Sequence, residues 1–568
     1  MKYNYFLLLY FLFLGNCMHS QIAFEDQSIT LGVDVTVGDT FLGNGVSFYD
    51  FDNDGWDDLT ITSSNNDAVR FFKNINGTFV EQYFVGLIFN YETKSVTWID
   101  YDNDGDNDLF VTSVVLGNKL LENLGNMTFQ DITSSSGISQ SNLYTYGASW
   151  GDYDNNGYLD VFLSNRTSIV SNKLYKNNGD GTFTDVTLQA GIDLNPSFSF
   201  CSAFLDINND GYQDIYVSND KLSFENKLYK NNGDGTFADI SGSSGTNILI
   251  DAMSVTVGDY NSDGFFDIYV TNNPEGNFLL RNNGDETFTN VAGSAGTTFN
   301  SIGWGASFFD ADNDMDLDLY VSGQLDGSVP SLLSAAFYES NNGNNFTVNN
   351  SYFPGDNRSS HSNAIGDINN DGLIDVVVIN NDDLIFLWKN VSPNPLNWIK
   401  LKLLGTESNK NAVGAKIEIS INNEKQYRYT FCGQGYLAQY GSKVHFGVGT
   451  NTVIDYIKIN WPSGIEETYF NVPANQTMNI IEGDGTLNIG DISSNKSYIY
   501  PNPVGDILRI NSDRTINRIK VINTLGQDVL VVNLIENSCL DVSSLHAGHY
   551  IILLESDRGI SNHKLIKY

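Results

Sequence analysis

Seven short stretches of this chain concentrate oxygen ligands. The string Asp-x-Asp-x-Asp-Gly-x-x-Asp, with Asn replacing one Asp in four copies, begins at residues 50, 100, 152, 206, 259, 310 and 367. Positions 1, 3, 5 and 9 are Asp50, Asp52, Asp54 and Asp58 in loop 1, and Asp100, Asp102, Asp104 and Asp108 in loop 2. They are Asp152, Asp154, Asn156 and Asp160 in loop 3, Asp206, Asn208, Asp210 and Asp214 in loop 4, and Asp259, Asn261, Asp263 and Asp267 in loop 5. Loop 6 has Asp310, Asp312, Asp314 and Asp318, and loop 7 has Asp367, Asn369, Asp371 and Asp375. Oxygens at positions 1, 3 and 5 of a tight loop converge on one point. Gly at position 6 permits the sharp turn, a carbonyl near position 7 can add a ligand, and position 9 closes the cage. Hard oxygen ligands in a flexible loop suit Ca²⁺ better than Mg²⁺ or a soft metal. Turns that merely cap strands would explain one copy but not the same oxygen pattern seven times. Crowded carboxylates also repel one another without a cation. The expectation is up to seven structural Ca²⁺ ions, held at the roughly 10⁻⁴–10⁻³ M typical of extracellular modules. In loop 6, Met315 replaces Gly, at a cost of about 1–2 kcal/mol for a left-handed backbone.

These loops must be positioned by strands. An EF-hand needs Glu at position 12 and then a helix; position 12 here is Ile61, Val111, Leu163, Val217, Val270, Val321 and Val378. β-Branched and aromatic runs follow each loop, and alternating apolar residues precede it, so each loop joins two strands of a hairpin. A second signature, Leu174-Tyr-Lys-Asn-Asn-Gly-Asp-Gly-Thr-Phe183 and its near copy ending at Phe237, marks a second hairpin. Four strands per repeat, at spacings of 50 to 57 residues, is the blade of a β-propeller. The seventh repeat lacks its last strand, and residues 23–33 match the missing piece. The first strand of the mature chain thereby completes the last blade and closes the ring. The fold class expected is all-β: a seven-bladed propeller over 21–392, a small β-sandwich-like domain over 393–487, a polar linker at 488–497, and a C-terminal β-sandwich over 498–568.

The formal charge is −38, from 68 acidic and 30 basic side chains. Residues 1–392 hold 52 acids against 14 bases, so the excess belongs to the repeats. Such a protein is a poor partner for nucleic acid or anionic lipid, which demand a basic face. Residues 1–20 read as a signal peptide with an apolar core at 5–15, and no later run is apolar for long enough to be a membrane helix. Cys201, Cys432 and Cys539 make no disulfide framework or metal pair and sit in apolar runs that suggest buried thiols.

The repeats resemble the FG-GAP/VCBS-type repeats of integrin-like propellers. That resemblance implies Ca²⁺ in the acidic loops and ligand binding on the opposite face. Residues 393–487 carry Asn397-Trp398, Ser408-Asn409-Lys410, Val413-Gly414-Ala415, Gly433-Gln434-Gly435-Tyr436, His445-Phe-Gly-Val-Gly449 and Trp461-Pro-Ser-Gly464. They resemble the ASPIC/UnbV domain of cartilage acidic protein-like proteins, which brings no established activity. Strands are expected at 398–404, 415–421, 427–432, 443–447, 456–461 and 478–481. Tyr500-Pro-Asn-Pro503, Asn523-Thr-Leu-Gly526, the run Leu540 to Tyr550 and the closing Lys564-Leu-Ile-Lys567 resemble the type A sorting domain of type IX secretion substrates. That implies a Bacteroidota-type Gram-negative source, the type IX machinery as a partner, and release or attachment at the cell surface.

No HExxH or P-loop signature is present. The leading reading is a non-catalytic, Ca²⁺-stabilised module that binds an extracellular glycan or protein. Recognition would use the connections opposite the acidic loops, with Tyr144, Tyr146, Phe198, Trp304 and the insertion 323–336 as candidates beside an inter-blade packing role. The alternative is a polysaccharide-degrading, lyase-like propeller using His361 and Arg358.

Overall fold

In the computed structural model, residues 22–568 are described except 65–66, 88, 394–395, 488–496, 513–515, 524–526, 534–538 and 557–558. The expected signal peptide lies outside the described residues, as does all of the expected linker but Ser497.

The first two-thirds folds into seven antiparallel sheets, each with four ring strands. Sheet 3 shows the plan: Thr145–Gly151, Asp160–Asn165, Lys173–Asn177 and Phe183–Asp185, each paired with the next. The acidic loop joins the first two strands and the Asn-Gly turn joins the last two. Sheet 7 takes its outer strand from the other end of the chain: Phe24 pairs with Asn390 and Asp26 with Trp388. Every consecutive pair of sheets shares an apolar core. Phe51, Phe71 and Trp98 join sheets 1 and 2, and Val46, Phe48, Val377 and Leu387 join sheets 7 and 1. At about 25 cal/mol per Å² of buried apolar area, these inter-sheet layers supply most of the driving force for folding.

Residues 397–481 form two further sheets over a core of Ile399, Leu401, Ile417, Ile457, Ile459 and Trp461. Most expected strands are present, and Glu466–Pro473 is an added one. The expected strand 427–432 runs too far. The module's own strand ends at Tyr429 and the chain then leaves for the ring. Residues to Thr486 therefore pack as one compact unit, and Leu487–Tyr568 form a second. The second unit has a three-stranded and a four-stranded sheet over Leu508, Ile519, Val521, Ile552 and Leu554. Cys201 and Cys432 are buried, whereas Cys539 is exposed, against expectation.

The segment 431–441 of the two-sheet module at 397–481, the cap, threads the ring axis. A propeller's innermost strands turn an unpaired edge toward the channel, and bare edges are liabilities. This segment covers them. Cys432 O accepts from Trp150 N at 2.8 Å, Gly435 N donates to Val255 O at 2.6 Å, and Ala438–Gln439 pairs in parallel with Val46–Ser47. Gln439 takes both main-chain groups of Trp98, with Oε1 accepting from its N–H at 2.8 Å and Nε2 donating to its carbonyl at 2.7 Å. Tyr440 OH donates to Ala306 O at 2.8 Å, and Gly441 N to Ile365 O at 2.9 Å. Tyr436, fully buried, reaches Leu42 O at 2.5 Å. At about 0.5–1.5 kcal/mol net per bond, the insert adds several kcal/mol beyond its apolar contacts.

Candidate metal loops and the cap over them

The loops have one architecture in all seven sheets. The position 1 carboxylate accepts the N–H of position 6 through Oδ2, from 2.8 Å (Gly157 to Asp152) to 3.0 Å (Met315 to Asp310). Position 5 accepts the N–H of position 7 in each loop, as in Trp56 to Asp54 at 3.0 Å. These bonds require a left-handed residue at position 6. Gly55, Gly105, Gly157, Gly211, Gly264 and Gly372 have φ between 84° and 101°, and Met315 adopts 88°. Its side chain packs against the core of the capping module, which offsets the strain.

Position 9 has a second duty. Oδ1 accepts from the main-chain N–H of the third strand in every sheet, as in Asn74 to Asp58 and Asn390 to Asp375, both at 2.7 Å. Except in loop 5, Oδ2 accepts from position 2, as in Ile368 to Asp375 at 2.7 Å. This aspartate clamps the loop to its sheet as well as facing the cage.

Sequence reasoning missed position 4. Asn53, Asn103, Asn155, Asn209, Ser262, Asn313 and Asn370 are all left-handed there. Asn is favoured because its short polar side chain tolerates that conformation. Five of them donate to the position 6 carbonyl of the next loop, from Asn103 to Gly157 at 2.8 Å through to Asn370 to Gly55 at 3.1 Å. The last of these joins sheet 7 to sheet 1. The Asn repeated before position 5 in six of the seven loops was the available signal.

Carboxylate oxygens converge within 4.8 Å in four loops. The groups are Asp50, Asp52 and Asp58; Asp100, Asp102 and Asp108; Asp152, Asp154 and Asp160; and Asp310, Asp312 and Asp314. In loops 4, 5 and 7, position 3 is Asn, whose Nδ2 donates to position 5, as in Asn208 to Asp210 at 2.9 Å. Several buried acceptors have no donor: Oδ1 of Asp50, Asp52, Asp100, Asp154 and Asn369, and Oδ2 of Asp267. Burial pushes Asp100, Asp152 and Asp259 up to about 7, and Asp58 and Asp108 up to about 9. The donor set is all oxygen, anionic and short of donors, so it fits a hard divalent cation.

The capping module lies against this same face. Lys400 pairs with Asp367 at 2.6 Å, Lys402 with Asp50 at 3.2 Å and Lys443 with Asp57 at 3.1 Å. Lys416 Nζ donates to Asn209 Oδ1 and Gly264 O, both at 2.6 Å, and His445 Nε2 lies 3.0 Å from Gly372 O. Lys400 and Asp367 are each about 1% exposed, so neither tolerates loss of the other. A cavity of about 170 Å³ remains between ring and cap, lined by Asp259, Asp310, Arg428 and Gln434 among others.

The opposite face differs from expectation. Tyr146 and Trp304 are 4% and 2% exposed and pack around Phe200 and Tyr436 in the channel. Tyr144 is exposed and Phe198 half-buried. His361 is 3% exposed against Trp304, with Nδ1 lacking a partner, and burial lowers it to about 3. Arg358 is engaged elsewhere, over the Phe386 ring and donating to Leu384 O at 2.8 Å.

Five overlapping windows spanning 50–321 match the FG-GAP-like repeat family. These are FG-GAP-like repeats. Residues 405–487 match ASPIC and UnbV, and 498–568 match the secretion system C-terminal sorting domain. The sorting domain marks a secreted or cell-surface protein of Bacteroidota. Cartilage acidic protein 1 of Xenopus tropicalis is 26% identical over 270 residues, 45% of this chain and 41% of that protein. The Homo sapiens protein of that name is 27% identical over 211 residues, 35% and 31%. The chain thus spans less than half the length of these curated relatives. Among solved structures, the extracellular domain of a putative hybrid two-component system from B. thetaiotaomicron aligns with a TM-score of 0.41 at 12% identity, covering 96% of this chain and 65% of that one. That of a putative one-component system from the same organism gives 0.37 at 11%, covering 97% and 60%. Among the described residues, no helix is long and apolar enough to cross a membrane.

Proposed function

We propose that this protein is a secreted or surface-attached, Ca²⁺-stabilised seven-bladed propeller that binds an extracellular glycan or protein through the face opposite its acidic loops. The reading takes 21–392 as the propeller, 393–487 as its cap and 498–568 as the tail handled by the type IX machinery. Positions 1, 3, 5 and 9 of each loop are its Ca²⁺ ligands, and the ion supplies the positive charge that lets those carboxylates stay ionised together. The observation that carries the binding face is the cap. It covers the mouth of the channel on the loop side and fills the axis. The connections at the other end of the strands instead expose Phe41, Leu116, Tyr144, Ile169, Leu222 and Leu249. Apolar side chains gathered on one face of a secreted protein mark a recognition surface. The lyase-like alternative loses support because His361 is buried.

A glycan and protein array probed with the full-length protein, with and without EDTA, tests this. Binding is expected to fall at least tenfold in Leu116→Asp with Leu222→Asp, at unchanged melting temperature. Undiminished binding in that variant would place the ligand elsewhere. Polysaccharide cleavage lost in His361→Ala would replace the binding reading with the enzymatic one.

A further inference from the structure

Loops 2 and 6 depart from the other five at two positions that the four-ligand reading does not use. Position 7 is Trp56, Tyr158, Tyr212, Phe265 and Leu373 in loops 1, 3, 4, 5 and 7, but Asp106 and Asp316 in loops 2 and 6. The third-strand residue just before the clamp position is Lys73, Lys176, Lys230, Arg281 and Lys389 in the first group, but Glu122 and Glu339 in the second. The two positions change together.

In loops 1 and 3 the cation is used on the loop itself, whereas Lys230 bonds Glu286. Lys73 Nζ bonds Asp52 and, at 3.0 Å, Asp54. Lys176 bonds Asp154 in the same way. Lysine thus supplies a fixed positive charge at positions 3 and 5. Loops 2 and 6 place a carboxylate where that ammonium would stand. Loop 2 and its third strand then carry Asp100, Asp102, Asp104, Asp106, Asp108 and Glu122, and loop 6 and its third strand carry Asp310, Asp312, Asp314, Asp316, Asp318 and Glu339. The oxygens that converge within 4.8 Å are those of Asp100, Asp102 and Asp108, and of Asp310, Asp312 and Asp314.

These groups feel one another. Burial first, then the charges of Asp104, Asp102 and Glu122, push Asp106 up to about 6. Burial, then Asp316 and Glu339 among others, push Asp312 up to about 6. Asp100 is 3% exposed and its Oδ1 has no donor, and Asp106 Oδ1 is likewise buried without one. Asp316 accepts from Asn342 N at 2.8 Å and is also bonded to Ser340, Gly343 and Asp314, and Glu339 Oε2 accepts from Tyr352 at 3.1 Å and Asn349 at 3.3 Å. The cap forms no ion pair with either loop among the described residues, although the Arg428 charge acts on Asp310. It gives loop 2 Asn411, whose Oδ1 accepts from Asp100 N at 2.8 Å.

We propose that loops 2 and 6 are the two high-affinity divalent-cation sites of the ring, with Asp106 and Glu122, and Asp316 and Glu339, as additional oxygen ligands to a hard cation such as Ca²⁺. Affinity in such loops rises with the number of ligand charges. In loops 1 and 3 the lysine repels an incoming cation and partly replaces it, so those loops bind more weakly and keep their shape when empty. The inference rests on reading the loops as Ca²⁺ sites.

Calorimetric titration of CaCl₂ into EDTA-stripped full-length protein tests it. Two sites at least tenfold tighter than the rest are expected. Asp106→Tyr with Glu122→Lys, which copies loop 3, should remove one tight site, and Asp316→Tyr with Glu339→Lys the other. The milder pair Asp106→Asn with Glu122→Gln guards against misfolding and should weaken one tight site at least tenfold. The reverse exchange in loop 1, Trp56→Asp with Lys73→Glu, should create a third. Equal affinity at all sites, or two tight sites surviving in all the loop 2 and loop 6 variants, would overturn the assignment. No Ca²⁺ binding by the wild-type protein would instead sink the metal reading itself.

Discussion

Position 6 of the acidic loops separates backbone strain from packing at single residues. Gly105, with φ of 101°, has nothing within 4 Å of where a Cβ would stand, so Gly105→Ala adds strain without a contact. A loss of about 1–2 kcal/mol is expected by urea denaturation in Ca²⁺. Met315→Gly relieves the same strain but removes packing on the cap, so its net change should stay within about 1 kcal/mol. His361 sets a pH dependence. Its folded pKa, about 3, lies below the ordinary 6.5, so the unfolded chain binds the proton more readily. Its contribution is complete above about pH 6.5 and is lost as pH falls toward 3. At pH 5 the loss is about 2 kcal/mol relative to pH 7. His361→Phe should flatten that part of the stability profile, read by thermal melts in Ca²⁺ buffers.

At the scale of elements, the insert 431–441 is the feature most open to test. Gly433 has φ of 83°, and a Cβ there would stand 2.3 Å from Ala148 O. Gly433→Val cannot be seated without moving the inner strand of sheet 3, and a loss of several kcal/mol or failure to fold is expected. Tyr436→Phe removes one hydrogen bond and no volume, for a loss of about 1 kcal/mol. If both variants melt like wild type, the insert does not hold the ring together. The hairpins around each loop were legible because strand patterning and Asn-Gly turns are local. So was the closing strand: Phe24-Glu-Asp26 repeats Phe183-Thr-Asp185, and the two take the same place in their sheets. The path of 431–441 was not legible. Phe431 and Cys432 look like the end of a strand, and their partners lie hundreds of residues away.

For the whole molecule, the compact units set where the chain tolerates cutting. A stop after residue 487 removes the second unit and should leave the main melting transition within about 2 °C. A stop after 392 uncovers the channel edges and strips Lys400, Lys402 and Lys443 from buried aspartates, so loss of cooperative unfolding is expected. Differential scanning calorimetry of the two truncations separates these outcomes. EDTA should lower the main transition of the full chain, and an unchanged melting temperature would remove Ca²⁺ from its structural role.

The sequence by itself determined the repeat, the loop chemistry and the closing strand. Each is written in residues that act on near neighbours: a glycine for a left-handed turn, a carboxylate for a nearby N–H, an alternating run for a sheet. The tertiary structure decided which face is covered. The acidity that marks residues 1–392 is met by lysines of a module whose net charge gives no warning of it, because what matters is where Lys400, Lys402, Lys416 and Lys443 point. The channel aromatics followed the same rule. Tyr146 and Trp304 have the composition of a binding surface, and they became core when Tyr436 arrived from a distant part of the chain to bury them.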